Sequence, residues 1–302
     1  MTLPKIYGLI GYPVKHSLSP AMHNAAFKAL NINAEYRLFE IPPEKLEEFL
    51  SKDIEVKDTE GRICRTTDIL GFNVTVPHKV AVCQLLCEKD KDFFVFLSGA
   101  VNTVKRDDNR KPRVYNTDTE GFIRALSEDL KFSLVGKSIF IFGCGGAARA
   151  VIIALLWVKG PKPRKIYIYD INPIAMQETE KYFNSFDVIR ENPIWSFVYN
   201  QEDIPRKIKE CDLLVNASSL GMKDGDGSVI DKNLLHKNLS VFDVVYNRET
   251  QLIKDAKSIG LPAMGGLGML LYQGVAAFEI WTGQKAPVEV MRKALEEGVG
   301  KL

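Results

Sequence analysis

The chain has 302 residues, 46% hydrophobic and 26% charged, an ordinary globular composition with enough length for two cores of typical size. These proportions exclude a disordered chain, a collagen and a coiled coil; a formal net charge of +2, with basic residues spread along the whole length, gives no electrostatic footprint of a nucleic-acid or membrane partner. The sequence predicts neither a signal peptide nor a membrane span, and five scattered cysteines without a CxxC pair suit a reducing cytoplasm, so a small-molecule substrate is the default partner.

In chain order, Tyr7 to Ile10 reads as a strand, Pro20 to Leu30 as a helix, and Ala34 to Phe39 and Gly71 to Val76 as further strands. The charged stretch between Val104 and Val114 is flanked by short apolar runs and predicts a surface hairpin tip. A domain break is expected within Tyr115 to Leu126, where a helix can cross between domains. From Lys137 onward, nearly all-apolar strands at Ser138 to Phe142, Lys165 to Tyr169, Leu213 to Ala217 and Val241 to Tyr246 alternate with helical stretches. That alternation predicts βαβ units and a parallel sheet covered on both faces. Gly265 to Ile280 and Val288 to Glu297 read as two closing helices that fold back onto the first domain. The expected fold is therefore α/β: an N-terminal α/β substrate domain, residues 1–117 with 266–302 folding back, and a Rossmann-type dinucleotide-binding domain, residues 118–265.

Cys83 and Cys87 are spaced to share a helix face, but no further metal ligand lies nearby, and His16, His23, His78 and His236 form no HExxH spacing. Packing is expected for the two cysteines, and the histidine spacing gives no support for a metal enzyme.

Phe142-Gly143-Cys144-Gly145-Gly146-Ala147-Ala148-Arg149 directly follows a strand and opens an apolar helix, Ala150 to Val158. Gly143, Gly145 and Ala148 fit G-x-G-x-x-A: a tight turn, a backbone that can approach a pyrophosphate, and a small residue where helix meets sheet. The helix N-terminus adds free amides and partial positive charge. The next strand ends at Asp170, and residues 171–175 carry no basic group. An acidic residue there accepts from the adenosine ribose hydroxyls and repels a 2′-phosphate, which favours NAD over NADP. A helix-initiating aspartate that never meets the ribose is the alternative.

Four polar clusters interrupt apolar surroundings in the first half: Gly11-Tyr12-Pro13-Val14-Lys15-His16-Ser17-Leu18-Ser19-Pro20, Asn73-Val74-Thr75-Val76-Pro77-His78-Lys79, Gly99-Ala100-Val101-Asn102-Thr103, and Tyr115-Asn116-Thr117-Asp118. Singly, each is explicable as capping or turn chemistry; together they can converge on one cleft. The ordered set resembles the shikimate/quinate dehydrogenase family, which has S-x-S-P, N-V-T-x-P-x-K, G-A-V-N-T and N-T-D ahead of a glycine-rich loop. Asn216 to Met222, Asp243 to Tyr246 and Gly266 to Gln273 resemble its remaining motifs, so the likeness covers essentially the whole chain.

The resemblance implies a reversible NAD(P)-linked reduction of 3-dehydroshikimate, with an NAD-linked quinate/shikimate dehydrogenase as one alternative and a non-catalytic cofactor- and ligand-sensing regulator as another. It implies that Ser17, Ser19 and Tyr246 hold the substrate carboxylate and that Asn73, Thr75, Asn102 and Gln273 read its hydroxyls. Lys79 and Asp118 match the catalytic pair, with Lys79 as acid/base and Asp118 orienting it, or the reverse. Cofactor contacts fall on Gly143, Gly145, Gly146, Ala147, Asp170, Val244, Gly266 and Met269. The chain departs from the family at Asp170-Ile171-Asn172, where many members have Asn-Arg-Thr for NADP, at Gly265 in place of an aspartate, and at Asp243-Val244 in place of Asp-Met. A monomer or a homodimer is expected.

Overall fold

A computed structural model describes residues 3–86, 92–107, 109–157, 162–191 and 194–299. Cys87, Asp108 and Val158 lie outside these residues. The chain divides into two compact units, Met1–Gly121 with Leu270–Leu302, and Phe122–Met269.

The first unit begins with β1 (Lys5–Gly11), apolar and buried from its second residue on. Next come α1 (Ser19–Ala29), with Pro20 in its first turn, and β2 (Ala34–Glu40). Helix α2 (Leu46–Ser51), a short hairpin β3 (Glu55–Lys57) and β4 (Ile63–Arg65), and β5 (Ile69–Val74) follow. The segment closes with α3 (Lys79–Leu86), α4 (Phe93–Ser98), β6 (Thr103–Arg106), β7 (Pro112–Tyr115) and the first turn of α5 (Asp118–Arg124), whose last three residues belong to the second unit. The main sheet runs β2-β1-β5-β6-β7, parallel across β2, β1 and β5 and antiparallel beyond.

Side chains alternate across this sheet. Ile6 and Ile10 join Phe39, Phe49, Phe72 and Val104 in one core. Tyr7 points the other way and stacks on Phe27 and Trp281, with centroids 5.4 and 5.3 Å apart. Strand β5 ends two residues before the expected Val76, where the Thr75 carbonyl accepts from His78 N in a turn and Pro77 has no N–H to continue a ladder.

The second unit runs β8 (Ser138–Phe142), α6 (Gly146–Trp157), β9 (Lys165–Tyr169), α7 (Pro173–Asn184), α8 (Asp187–Arg190), β10 (Trp195–Phe197) and α9 (Ile204–Lys209). It continues with β11 (Leu213–Asn216), β12 (Ser240–Asp243), α10 (Gln251–Ser258) and β13 (Ala263–Met264). All six strands are parallel in the order β10-β9-β8-β11-β12-β13. Strands β8 and β11 are buried at every residue, as helices on both faces require. Helix α6 starts at Gly146, four residues before the expected Ala150, because Arg149 N already donates to Gly145 O. Strand β12 stops at Asp243, where the side chain captures Val245 N and turns the backbone before Tyr246.

Helices α11 (Leu267–Thr282) and α12 (Val288–Val299) end the described chain. In the first unit α12 packs along α1, and Trp281 of α11 donates its indole N–H to Val104 O at 2.9 Å.

Candidate active site

In the first unit strand order reverses between β1 and β5, the position in an open α/β sheet where loops leaving the carboxyl ends of the strands run in opposite directions. Ser17 and Ser19 follow β1; Thr75 and Lys79 follow β5, whose penultimate residue is Asn73. Lys79 is the first residue of α3, and Val101 N donates to its carbonyl at 2.9 Å, tying it to the 99–103 segment. Its Nζ donates to Asp118 Oδ2 at 2.6 Å, with the two side chains only 14% and 6% exposed. A lysine in this position of a sequence reads as a solvated surface cation; here it is enclosed and paired.

Asp118 accepts a second donor at its other oxygen, Asn102 Nδ2 at 2.9 Å. The Asn102 amide also reaches Thr117 Oγ1 at 2.9 Å and Gln273 Oε1 at 3.3 Å, while its Oδ1 accepts from Thr117 N at 2.7 Å and Thr103 Oγ1 at 3.0 Å. Asn73 Nδ2 donates to Asn102 O at 3.2 Å and Thr103 Oγ1 at 3.0 Å, and its Oδ1 accepts from the Tyr36 hydroxyl at 2.8 Å. One buried hydrogen-bonded network therefore joins Asn73, Asn102, Asp118, Lys79 and Gln273. Ser17 and Ser19 form a separate pair: Ser17 Oγ accepts from Ser19 N and donates to Ser19 Oγ, both at 3.2 Å. Thr75 closes a tight turn, accepting His78 N on its carbonyl at 2.9 Å.

The network contains residues that motif reading passed over. Thr103 and Thr117 sit inside the quoted motifs, so a prompt to examine them was present in G-A-V-N-T and N-T-D. Tyr36 lies on β2, outside every motif, and only the register of β2, β1 and β5 brings it to Asn73.

In the second unit strand order reverses between β8 and β11. Gly143 leaves β8 at φ +117°, and a Cβ there would stand 2.8 Å from the Ala217 carbonyl, so only glycine permits this crossing. Around Gly145 no atom lies within 4 Å of a would-be Cβ, and α6 begins at Gly146. A turn with an open backbone ahead of a helix N-terminus fits a dinucleotide pyrophosphate. Asp170 Oδ2 accepts from Cys144 N in this turn and Oδ1 from Asn172 N, each at 2.8 Å. The helix-starting role belongs to Asn172, whose side chain accepts from Ile174 N and Ala175 N. The Cys144 thiol is buried, and desolvation pushes its pKa up to about 12, so the cysteine acts through its backbone and not as a nucleophile.

Val244, Tyr246, Gly266 and Met269 lie at the carboxyl end of the same sheet and just beyond β13. Gly266 passes so close to Val244 that a Cβ would stand 2.1 Å from its carbonyl oxygen. Beneath them Asp243 is fully buried; desolvation raises its pKa, against hydrogen bonds from Val245 N, Thr250 Oγ1 and Asn216 Nδ2. Among the described residues no cluster of His, Cys, Asp and Glu could hold a metal, and no helix is long and apolar enough to cross a membrane.

Residues 9–104 match the family description "shikimate dehydrogenase substrate binding domain", and residues 266–296 match "shikimate 5'-dehydrogenase C-terminal domain". The chain is 41% identical over 300 residues to the shikimate dehydrogenase (NADP+) of Methanopyrus kandleri, covering 97% of this chain and 95% of the relative. Among solved structures it resembles a shikimate dehydrogenase in complex with NADP+, at 34% identity and TM-score 0.82, over 98% of this chain and 96% of that one. It also resembles the quinate dehydrogenase of Corynebacterium glutamicum in complex with NAD, at 28% identity and TM-score 0.82, over 98% of this chain and 100% of that one. With likeness along the whole chain, an enclosed lysine–aspartate pair in one unit and a dinucleotide-type turn in the other, the chain belongs to the shikimate dehydrogenase family of nicotinamide-dependent oxidoreductases.

Proposed function

We propose that the chain catalyses the reversible nicotinamide-dependent reduction of 3-dehydroshikimate to shikimate, with Lys79 moving the proton. The observation that carries this reading is the 2.6 Å Lys79–Asp118 pair, held by Asn102 beside the carboxyl end of β5. The nicotinamide, when bound, supplies the hydride in reduction and accepts it in oxidation. Lys79 gives a proton to the substrate oxygen in one direction and takes it back in the other. Asp118, with donors on both oxygens, orients the amine and balances its charge.

Ser17 and Ser19 are neutral hydroxyls adjacent in space, suited to an anionic carboxylate that must later be released. Thr75, Asn73, Asn102 and Gln273 are assigned to the substrate hydroxyls. Tyr246, in the second unit, is assigned by its motif alone. In that unit Gly143, Gly145, Gly146 and Ala147 are assigned to the pyrophosphate, and Val244, Gly266 and Met269 to the nicotinamide end.

NAD as the preferred cofactor rests on Asp170 alone: the curated relative is named for NADP+, and the structural neighbours carry NADP+ or NAD in their titles. Its carboxylate has lone pairs left for ribose hydroxyls, and residues 171–175 bring no cation. A phosphate at contact distance meets a Coulomb penalty of about 1 kcal/mol in water and about 4 at a half-buried site. Asp170→Asn is expected to narrow the NAD over NADP preference about tenfold; equal use of the two cofactors by the unmodified enzyme would defeat the argument.

The absence of Asn-Arg-Thr after β9 and the NAD-bound quinate dehydrogenase among the structural neighbours favour quinate as a second substrate. The decisive experiment follows absorbance of the reduced nicotinamide with shikimate or quinate crossed against NAD or NADP. Turnover with shikimate supports the reading, turnover with quinate alone replaces it by the second, and no turnover in any combination leaves a binding protein.

A further inference from the structure

Asn73 is 4% exposed, and its side chain has four hydrogen-bonding places: two N–H donors and two lone pairs on Oδ1. Both donors are spent, on Asn102 O and Thr103 Oγ1, and one lone pair is taken by the Tyr36 hydroxyl. What remains is one acceptor. Turning the amide over would set Oδ1 against the Asn102 carbonyl, two acceptors in contact, so the orientation is determined by its neighbours.

Tyr36 is itself held on every side. Its backbone is bracketed by Asn24, which accepts from Tyr36 N at 2.7 Å and donates to Tyr36 O at 3.2 Å. Its ring lies almost parallel to that of His23, with centroids 4.4 Å apart, and against Trp281 at 6.0 Å. His23 is fully buried, and neither ring nitrogen has a partner among the described residues, so it serves this stack as a neutral plate. A tyrosine fixed in backbone and ring presents its hydroxyl from one direction only.

We propose that Tyr36 is a positioning residue for substrate recognition: with both Asn73 amide protons spent on Asn102 O and Thr103 Oγ1, its hydroxyl takes one of the two lone pairs and steadies the amide, so that Asn73 offers the substrate one acceptor and no donor. The inference rests on the reading that Asn73 meets a substrate hydroxyl. It makes the site selective at that point for a group that donates, an alcohol, over one that only accepts, such as an ether or ketone.

The test compares Tyr36→Phe, which keeps ring and stack, with Asn73→Ala, in steady-state kinetics on shikimate and its 4-deoxy and 5-deoxy derivatives. For Tyr36→Phe, KM for shikimate is expected to rise about fivefold to tenfold, with kcat and the cofactor KM within twofold of the parent. Discrimination against one of the two deoxy compounds is expected to shrink by the same factor. A lower melting temperature with unmoved KM and discrimination would reduce Tyr36 to a structural role and overturn the proposal. A raised KM for Asn73→Ala beside an unmoved KM for Tyr36→Phe overturns the positioning role alone; an unmoved KM for Asn73→Ala removes Asn73 from the substrate and the proposal with it. If Tyr36→Phe does not fold, Thr103→Val, which loosens the same amide from its other side, is measured in its place, and an unchanged KM there also overturns the proposal.

Discussion

Lys79, Asn102 and Asp118 come from three stretches of chain, and each limits what the others can do. With Asn102 on one oxygen of Asp118 and Lys79 on the other, the carboxylate cannot swing away without leaving a buried donor unmet. Lys79→Ala is therefore expected to lower kcat by roughly a hundredfold or more, while the cofactor dissociation constant, measured by fluorescence titration, stays within twofold. At His23 desolvation lowers the ring pKa from 6.5 to about 3. The unfolded chain then binds a proton between those values that the folded chain refuses, so this contribution to stability is complete above pH 6.5 and lost as pH falls toward 3. The loss approaches about 1.4 kcal/mol per pH unit. Denaturation of His23→Phe between pH 7 and 4 is expected to show a flatter decline than the parent, and parallel curves would contradict the assignment. Lys79 and Asp118 could be named together because each lies in a short motif, and the structure pairs their side chains. The motifs gave no role to Tyr36 or His23, whose importance comes from strand register and stacking that no local spacing encodes.

At the scale of elements, the strands of the second unit were readable because continuous apolar runs of four or five residues are what a doubly covered parallel strand needs: Ser138–Phe142 and Lys165–Tyr169 occupy the stretches expected. The hairpin of β3 and β4 escaped notice because Glu55-Val56-Lys57 and Ile63-Cys64-Arg65 each bury little, giving no alternation long enough to detect. Strand β10 is equally short, at three residues, and β13 is shorter still, at two. Side chains at strand ends set where elements stop. Thr250 caps α10, accepting from Ile253 N, and donates to Asp243 Oδ2 at 2.7 Å. Thr250→Val removes both interactions with little change of shape and is expected to cost about 2–3 kcal/mol in chemical denaturation. A loss under 0.5 kcal/mol would show that Asp243 finds another donor.

For the molecule as a whole, each unit carries its own parallel strands, its own core and its own reversal of strand order. Ligand effects on hydrogen exchange should separate accordingly. A nicotinamide dinucleotide is expected to slow amide exchange at 143–149 and 170–172, and shikimate at 73–79, 102 and 117–118. Protection by shikimate confined to the second unit would refute the assignment of the first as the substrate unit.

The first unit is assembled from two separated stretches, 1–121 and 270–302, with the second unit lying between them in sequence. On the ribosome, the segment 122–269 is therefore complete while the earlier segment still lacks Trp281 and the helix that lies along α1. The half translated first cannot complete its core until the stretch from residue 270 onward has emerged. A premature stop near residue 269 would spare the nucleotide-binding half and leave the half translated first unable to close.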